Sequence, residues 1–206
     1  MKLLVFTRYP ESGCVKTRLI PALGPAGARE LHRSMAEHAL QRLDCFTNIE
    51  VCFDGGSKQC MRHWLGGSFS YIPQGGGNLG QRMLRACSRT FQQGEDKVIL
   101  VGTDCPGLKA SHVRKALHLL DKHDLVLGPA ADGGYYLLGL KDLYAGLFED
   151  IPWGTGQVLA ETLQKAHRLG LRTVLLEELA DIDRPEDLCI WEKIKEHEKS
   201  KTEKEP

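Results

Sequence analysis

Short apolar runs alternate along this chain with longer stretches in which apolar residues recur every three to four positions. The first pattern predicts buried strands and the second predicts amphipathic helices. Leu3-Leu4-Val5-Phe6 predicts a buried first strand, followed by a polar loop from Thr7 to about Gly24. A helix from about Ala26 to Leu43 carries Leu31, Met35, Ala39 and Leu43 on one stripe. Ile49 to Phe53 and Phe69 to Ile72 predict the next two strands, ended by Asp54-Gly55-Gly56 and by Pro73. The flexible Gln74-Gly75-Gly76-Gly77-Asn78 leads into a helix from about Leu79 to Gln92, with Leu79, Met83, Cys87 and Phe91 turned inward.

Val98-Ile99-Leu100-Val101 is the clearest buried strand, and it runs into Gly102-Thr103-Asp104-Cys105-Pro106. A helix from about Ser111 to Lys122 sets Val113, Ala116, Leu117 and Leu120 at helical spacing. Leu125-Val126-Leu127 and Tyr135 to Leu140, joined through Gly133-Gly134, predict an antiparallel hairpin. A helix from about Thr155 ends with His167 and Arg168 in its last turn and Gly170 just beyond. Leu171 to Leu176 is a further strand, and Pro185 opens a last helix through Leu188, Trp191 and Ile194. Strands alternating with helices predict an α/β fold with a mostly parallel, mixed sheet and helices on both faces. Residues 1–195 read as one domain, and residues 196–206 as a charged tail that frays.

Composition narrows the function class. At 206 residues and 42 % apolar, the chain can bury a sizeable single core. Its 27 basic and 27 acidic residues balance, which argues against a general nucleic-acid or membrane surface. The longest apolar runs are of strand length, so no membrane span is expected. No export signal is visible, and the seven cysteines form no CxxC pair. Reduced thiols in the cytoplasm follow as the expectation, without a zinc site. His32, His38, His112, His118 and His123 lack HxH or HExxH spacing and read as surface or packing residues. The pattern is silent on oligomeric state.

In an open parallel sheet, ligands sit beyond the carboxyl ends of the strands, where the strand order reverses. The loop after the first strand holds Arg8, Gly13, Lys16 and Arg18. Glycine lets the backbone approach a phosphate, and an arginine can grip its oxygens in a bidentate fork. Neither GxxxxGK[ST] nor GxGxxG is present in this loop. Asp104, at the end of a buried strand, reads either as a ligand for Mg²⁺ or Mn²⁺ shared with phosphates or as a turn cap. A strand reversal between the first and fourth strands would bring it to face the basic loop. Asp132 reads either as an ordinary Asp-Gly turn residue or as a base or second metal contact on the acceptor side. Asp183 reads as the N-cap of the last helix, with Glu186 completing a capping box, and a metal role stays compatible with that. Asn78, Gly80 and Arg82 open a helix that could hold a phosphate or a base edge, or simply form a solvated first turn. Trp153, just before a helix, reads as a buried anchor or an acceptor contact.

Taken in order, these stretches resemble the nucleotide-diphospho-sugar transferase superfamily with its GT-A fold. They are Pro10…Gly13…Lys16-Thr17-Arg18-Leu19, Gly80-Gln81-Arg82-Met83, Gly102-Thr103-Asp104-Cys105-Pro106, Asp132-Gly133-Gly134-Tyr135 and Asp181-Ile182-Asp183-Arg184-Pro185-Glu186-Asp187-Leu188. The likeness runs over roughly residues 2 to 195. It is nearest to small bacterial glycosyltransferase-like proteins, some linked to arsenosugar biosynthesis. The first loop is also similar to that of phospholactate and molybdenum-cofactor guanylyltransferases. The resemblance implies a three-layer α/β/α sandwich, Lys16 and Arg18 facing phosphates, and Asp104 and Asp183 at the metal positions.

Gly102 stands two residues before Asp104, so an Asp-x-Asp pair is missing, and Cys14 stands where a basic or polar residue is expected. The leading expectation is transfer of a glycosyl group from a nucleotide sugar to an unknown small acceptor, with divalent-metal assistance. The alternatives are nucleotidyl transfer from an NTP with release of pyrophosphate, which the missing Asp-x-Asp favours, and nucleotide binding without catalysis.

Overall fold

The computed structural model describes residues 1–202, with side chains described for residues 1–196. Among them, seven strands are β1 (Lys2–Arg8), β2 (Ile49–Asp54), β3 (Ser70–Pro73), β4 (Val98–Gly102), β5 (Leu125–Pro129), β6 (Tyr135–Leu140) and β7 (Thr173–Leu175). The helices are α1 (Ile20–Arg42), α2 (Lys58–Leu65), α3 (Leu79–Gln92), α4 (Ala110–Leu119), α5 (Val158–Arg168) and α6 (Leu188–Thr202). The strands form one sheet in the order β3-β2-β1-β4-β6-β5-β7. β6 pairs antiparallel with both β4 and β5, and every other pairing is parallel.

Side chains alternate across a strand, and β1 is buried on both sides. Leu3 and Val5 join a core with Leu40, Met61, Val113 and Leu120 from α1, α2 and the α4 region. Leu4 and Phe6 join the opposite core with Met83, Cys87 and Ala166 from α3 and α5. The result is a three-layer α/β/α sandwich. A third cluster ties Leu31 and Met35 of α1 to Ile182 and Trp191. It anchors the segment before α6 against the first helix.

Several local expectations are corrected. The polar loop after β1 is shorter than the pattern suggests. A short 3-10 turn occupies Thr17–Leu19 and α1 starts at Ile20. Leu19 is fully buried, which gives that turn an apolar anchor. Gly24 (φ 69°) breaks α1 just ahead of Pro25, a break the sequence suggested as the helix start. Helix α2 went unforeseen: it is eight residues long, capped by Ser57, and buries only Met61 fully, so its periodic signal is faint. Leu79 is 44 % exposed rather than inward, because it occupies the first turn of α3 at the cleft mouth. Helix α6 continues to Thr202, and residues 203–206 of the expected tail lie outside the described residues.

β1 pairs in parallel with β2 on one side and β4 on the other. Chain order reverses there, as the placement of Asp104 required. Arg8 stands opposite Asp54, and Phe6 opposite Gly102. The ends of the three strands therefore open onto one edge of the sheet. The turn between β5 and β6 emerges at the same edge.

Candidate active-site cleft

A cleft of about 690 Å³ opens at that edge. Arg8, Lys16, Arg18, Asn78, Arg82, Asp104, Asp132 and Asp183 all line it. A smaller polar recess of about 290 Å³ lies among Arg8, Lys16, Arg18, His32, Asp104 and Asp183. Of the residues singled out from sequence, Gly13 and Gly80 lie outside both linings.

Lys16 is held in a left-handed conformation (φ 47°), uncommon for a residue with a side chain. Only 5 % of its side chain is exposed. Its ammonium group donates to the Ile182 carbonyl and meets Asp104 Oδ1 at 2.7 Å. The basic loop, the β4 loop and the segment before α6 thus meet at one charge. Arg18 pairs with Asp183. Arg82 reaches Asp54 at 2.7 Å and donates through Nε to the Gly77 carbonyl at 2.8 Å, while Arg8 stands 3.6 Å from Asp54.

Asp183 is not the helix cap. The Asp187 carboxylate takes that role, accepting from the backbone N–H of Asp183 (3.1 Å) and Arg184 (2.8 Å). The Asp183 carboxylate is thereby left to face Arg18. Asn78 does cap a helix: its side chain accepts from Gln81 N at 3.0 Å, and Gln81 returns a bond to Asn78 N. Gly80 answers a packing demand, since a Cβ built there would lie 2.4 Å from Trp153 Nε1. Asp132 Oδ1 accepts from Gly134 N at 2.8 Å, the ordinary turn bond, while the residue still lines the cleft.

The sequence reading passed over three further residues. Asp181 accepts from Asp132 N at 3.2 Å. Burial, with the neighbouring Asp132 charge second, holds its carboxyl above the usual carboxylate range. His32 is buried on α1 and donates from Nε2 to the Arg8 carbonyl at 2.9 Å. Burial pushes its imidazole down, against the opposing pull of the Arg8 carbonyl and Asp104. Gln74 is buried and donates to the Thr7 and Cys52 carbonyls, bridging the ends of β1 and β2. Asp181 sat in a stretch already singled out, whereas His32 and Gln74 carried no motif and emerge only through packing.

Enclosure works against ionisation of Asp104, but Lys16, then His32 and Arg8, outweigh it and hold its carboxyl below the usual range. Among the described residues, no group of three or more His, Cys, Asp or Glu is assembled to hold a metal ion. Asp104 and Asp183 share the small recess, however, and both offer hard oxygen donors. Such a pair suits Mg²⁺ or Mn²⁺ completed by phosphate oxygens and water, not an all-protein cage. No helix of the described residues is long and apolar enough to cross a membrane.

This architecture recurs in solved proteins. A crystal structure of a candidate nucleotide-diphospho-sugar transferase from Desulfovibrio desulfuricans G20 matches 89 % of this chain and 84 % of its own, with TM-score 0.84 and 36 % identity. The 2-phospho-L-lactate guanylyltransferase of Methanocaldococcus jannaschii is 33 % identical over 109 residues, 50 % of this chain and 46 % of that protein. The 3-phospho-D-glycerate guanylyltransferase of Phenylobacterium zucineum is 42 % identical over 94 residues, 44 % of this chain and 41 % of that protein. The chain thus matches less than half the length of either curated relative. Residues 36–155 match the sequence model of the family described as "Uncharacterized protein conserved in bacteria (DUF2064)", and the chain belongs to that family.

Proposed function

We propose that this chain moves a glycosyl group from a nucleotide sugar to a hydroxyl-bearing acceptor. The observation that carries this reading is the make-up of the cleft. Lys16, Arg18 and Arg82 line it together with the carboxyl groups of Asp104, Asp132, Asp181 and Asp183, and Asp181 accepts from the backbone N–H of Asp132. In this scheme Arg8, Lys16, Arg18 and Arg82 surround the nucleotide's phosphates, and Gly13 lets the loop backbone come close. Asn78 lines the α3 end of the same pocket, and Gly80 makes room there for Trp153.

The acceptor oxygen attacks the anomeric carbon, and the bond from that carbon to the phosphate oxygen breaks. The electron pair leaves with the nucleoside diphosphate, whose charge Lys16 and Arg18 offset. The acceptor proton passes to the Asp132–Asp181 pair. Asp181, with its raised proton affinity, suits the role of base in that pair. Asp104 and Asp183 would hold Mg²⁺ or Mn²⁺, which supplies further positive charge to the diphosphate when bound.

Nucleotidyl transfer is the second reading. It is favoured by Asp183, which faces Arg18 beside Asp104 instead of capping a helix, and by the guanylyltransferase activity named for both curated relatives. One assay separates the readings. The protein is incubated with nucleotide sugars or NTPs, a panel of acceptors and Mg²⁺ or Mn²⁺, and the leaving group is identified. Release of nucleoside diphosphate is expected. Pyrophosphate would replace this reading with the second, and binding without turnover across the panel would leave a non-catalytic nucleotide-binding protein.

A further inference from the structure

The charge of the small recess does not favour a bare divalent cation. Its lining sets Arg8, Lys16 and Arg18 against Asp104 and Asp183. Three cations meet two carboxylates, so one positive charge is left over. A divalent ion arriving alone meets net repulsion there. A nucleoside diphosphate brings more negative charge than the ion brings positive, so the two arriving together are attracted.

The two ion pairs of the recess differ in how readily they open. Only 5 % of the Lys16 side chain is exposed, and its ammonium group holds both Asp104 Oδ1 and the Ile182 carbonyl. Asp104 itself stays 58 % exposed, so it can meet a ligand while keeping its lysine. The Arg18–Asp183 pair is open to water, with Arg18 62 % and Asp183 31 % exposed. An ion pair in that setting contributes little, and salt competes with it. The backbone around Asp183 does not depend on it. Ile182 N–H donates to the Asp104 carbonyl at 3.0 Å, and the N–H groups of Asp183 and Arg184 both donate to Asp187. On the other side, buried Leu19 anchors the 3-10 turn that carries Arg18. The pair can therefore open by side-chain rotation, with both backbones held.

We infer that Arg18 is an exchangeable counter-ion that masks Asp183 until a phosphate takes its guanidinium, and that the freed carboxylate then joins Asp104 at a divalent ion. A guanidinium fork matches two phosphate oxygens, and a diphosphate carries more charge than a carboxylate, so the exchange favours the phosphate. Nucleotide and metal thus reinforce each other through one side chain. The ion is completed by phosphate oxygens and water, as two carboxylates require. The inference rests on the reading that Asp104 and Asp183 hold the metal. It is indifferent to which bond of the nucleotide breaks.

The test titrates Mn²⁺ into the whole protein and follows the free ion by electron paramagnetic resonance. The parent is compared with Arg18→Met, Asp183→Asn, Asp104→Asn and the Arg18→Met/Asp183→Asn double variant, with melting temperatures confirming that each is folded. Without nucleotide, Arg18→Met should bind Mn²⁺ about fivefold tighter than the parent, since a competing cation is gone. Asp183→Asn in that background should remove the gain. GDP or UDP should tighten Mn²⁺ binding by the parent at least about tenfold beyond the nucleotide's own chelation, measured without protein, and that increment should shrink in Arg18→Met. Equal or weaker Mn²⁺ binding by Arg18→Met, with Asp183→Asn still weakening the parent, would overturn the exchange and keep the metal reading. Mn²⁺ binding indifferent to both Asp104→Asn and Asp183→Asn, with nucleotide present, would remove the metal reading and the exchange with it.

Discussion

Asp183 meets Arg18 because a residue four positions later takes over the capping. The stretch Asp-Arg-Pro-Glu-Asp offers three carboxylates near the helix start. Spacing alone cannot say which one turns back to the backbone. Ile182 decides it. That side chain is wholly buried in the cluster with α1, and its carbonyl is held by Lys16, so the chain enters the helix with Asp183 turned to the cleft. Gly80 shows the same limit. Its place at a helix start suggested a site for a phosphate or base edge, or a solvated first turn, whereas the structure fills the space with an indole ring. Gly80→Ala should therefore cost about 1–3 kcal/mol through overpacking. Chemical denaturation against the parent measures it, and an unchanged midpoint would mean that Trp153 does not need the glycine.

At the scale of elements, the alternating pattern made most strands and helices legible, and the bounds of α3 coincide with the expectation. The exceptions share a physical reason. Helix α2 lies between two glycine pairs, Gly55-Gly56 and Gly66-Gly67, and needs only one deep side chain to dock. β7 is only three residues long and lies at the sheet edge. Its pairing with β5 is reinforced by Asp124, which accepts from the backbone N–H of Arg172 at 2.8 Å and meets its guanidinium and Lys141. The hydrogen bonds from Arg172, opposed by partial burial and aided by Lys141, hold the Asp124 carboxyl well below the usual range. A lowered carboxyl adds stability above its unfolded-state pKa and loses it as pH falls through the folded value. Asp124→Asn should then melt below the parent at neutral pH, and the two curves should converge as pH drops below about 4. A constant gap across that range would remove the charge from the account.

At the scale of the molecule, strand order does what no single motif could. The basic loop alone indicated a phosphate nearby. The reversal between β1 and β4 brings Lys16 to Asp104 at 2.7 Å, a pairing the sequence made conditional on that topology. The paired state of these charges was not legible, since it depends on the αL backbone of Lys16 and on the path of the segment before α6. The same convergence accounts for His32 and Gln74, which serve the strand ends without any motif of their own. The central claim is that this convergence grips a nucleotide by its phosphates, and affinity reads it directly. Guanosine with GDP, and uridine with UDP, are titrated with Mg²⁺ into the parent and into the Lys16→Met/Arg18→Met double variant. One diphosphate should bind the parent at least about tenfold tighter than its nucleoside, and the double variant should lose that margin. Equal affinity for nucleoside and diphosphate in the parent would contradict the account.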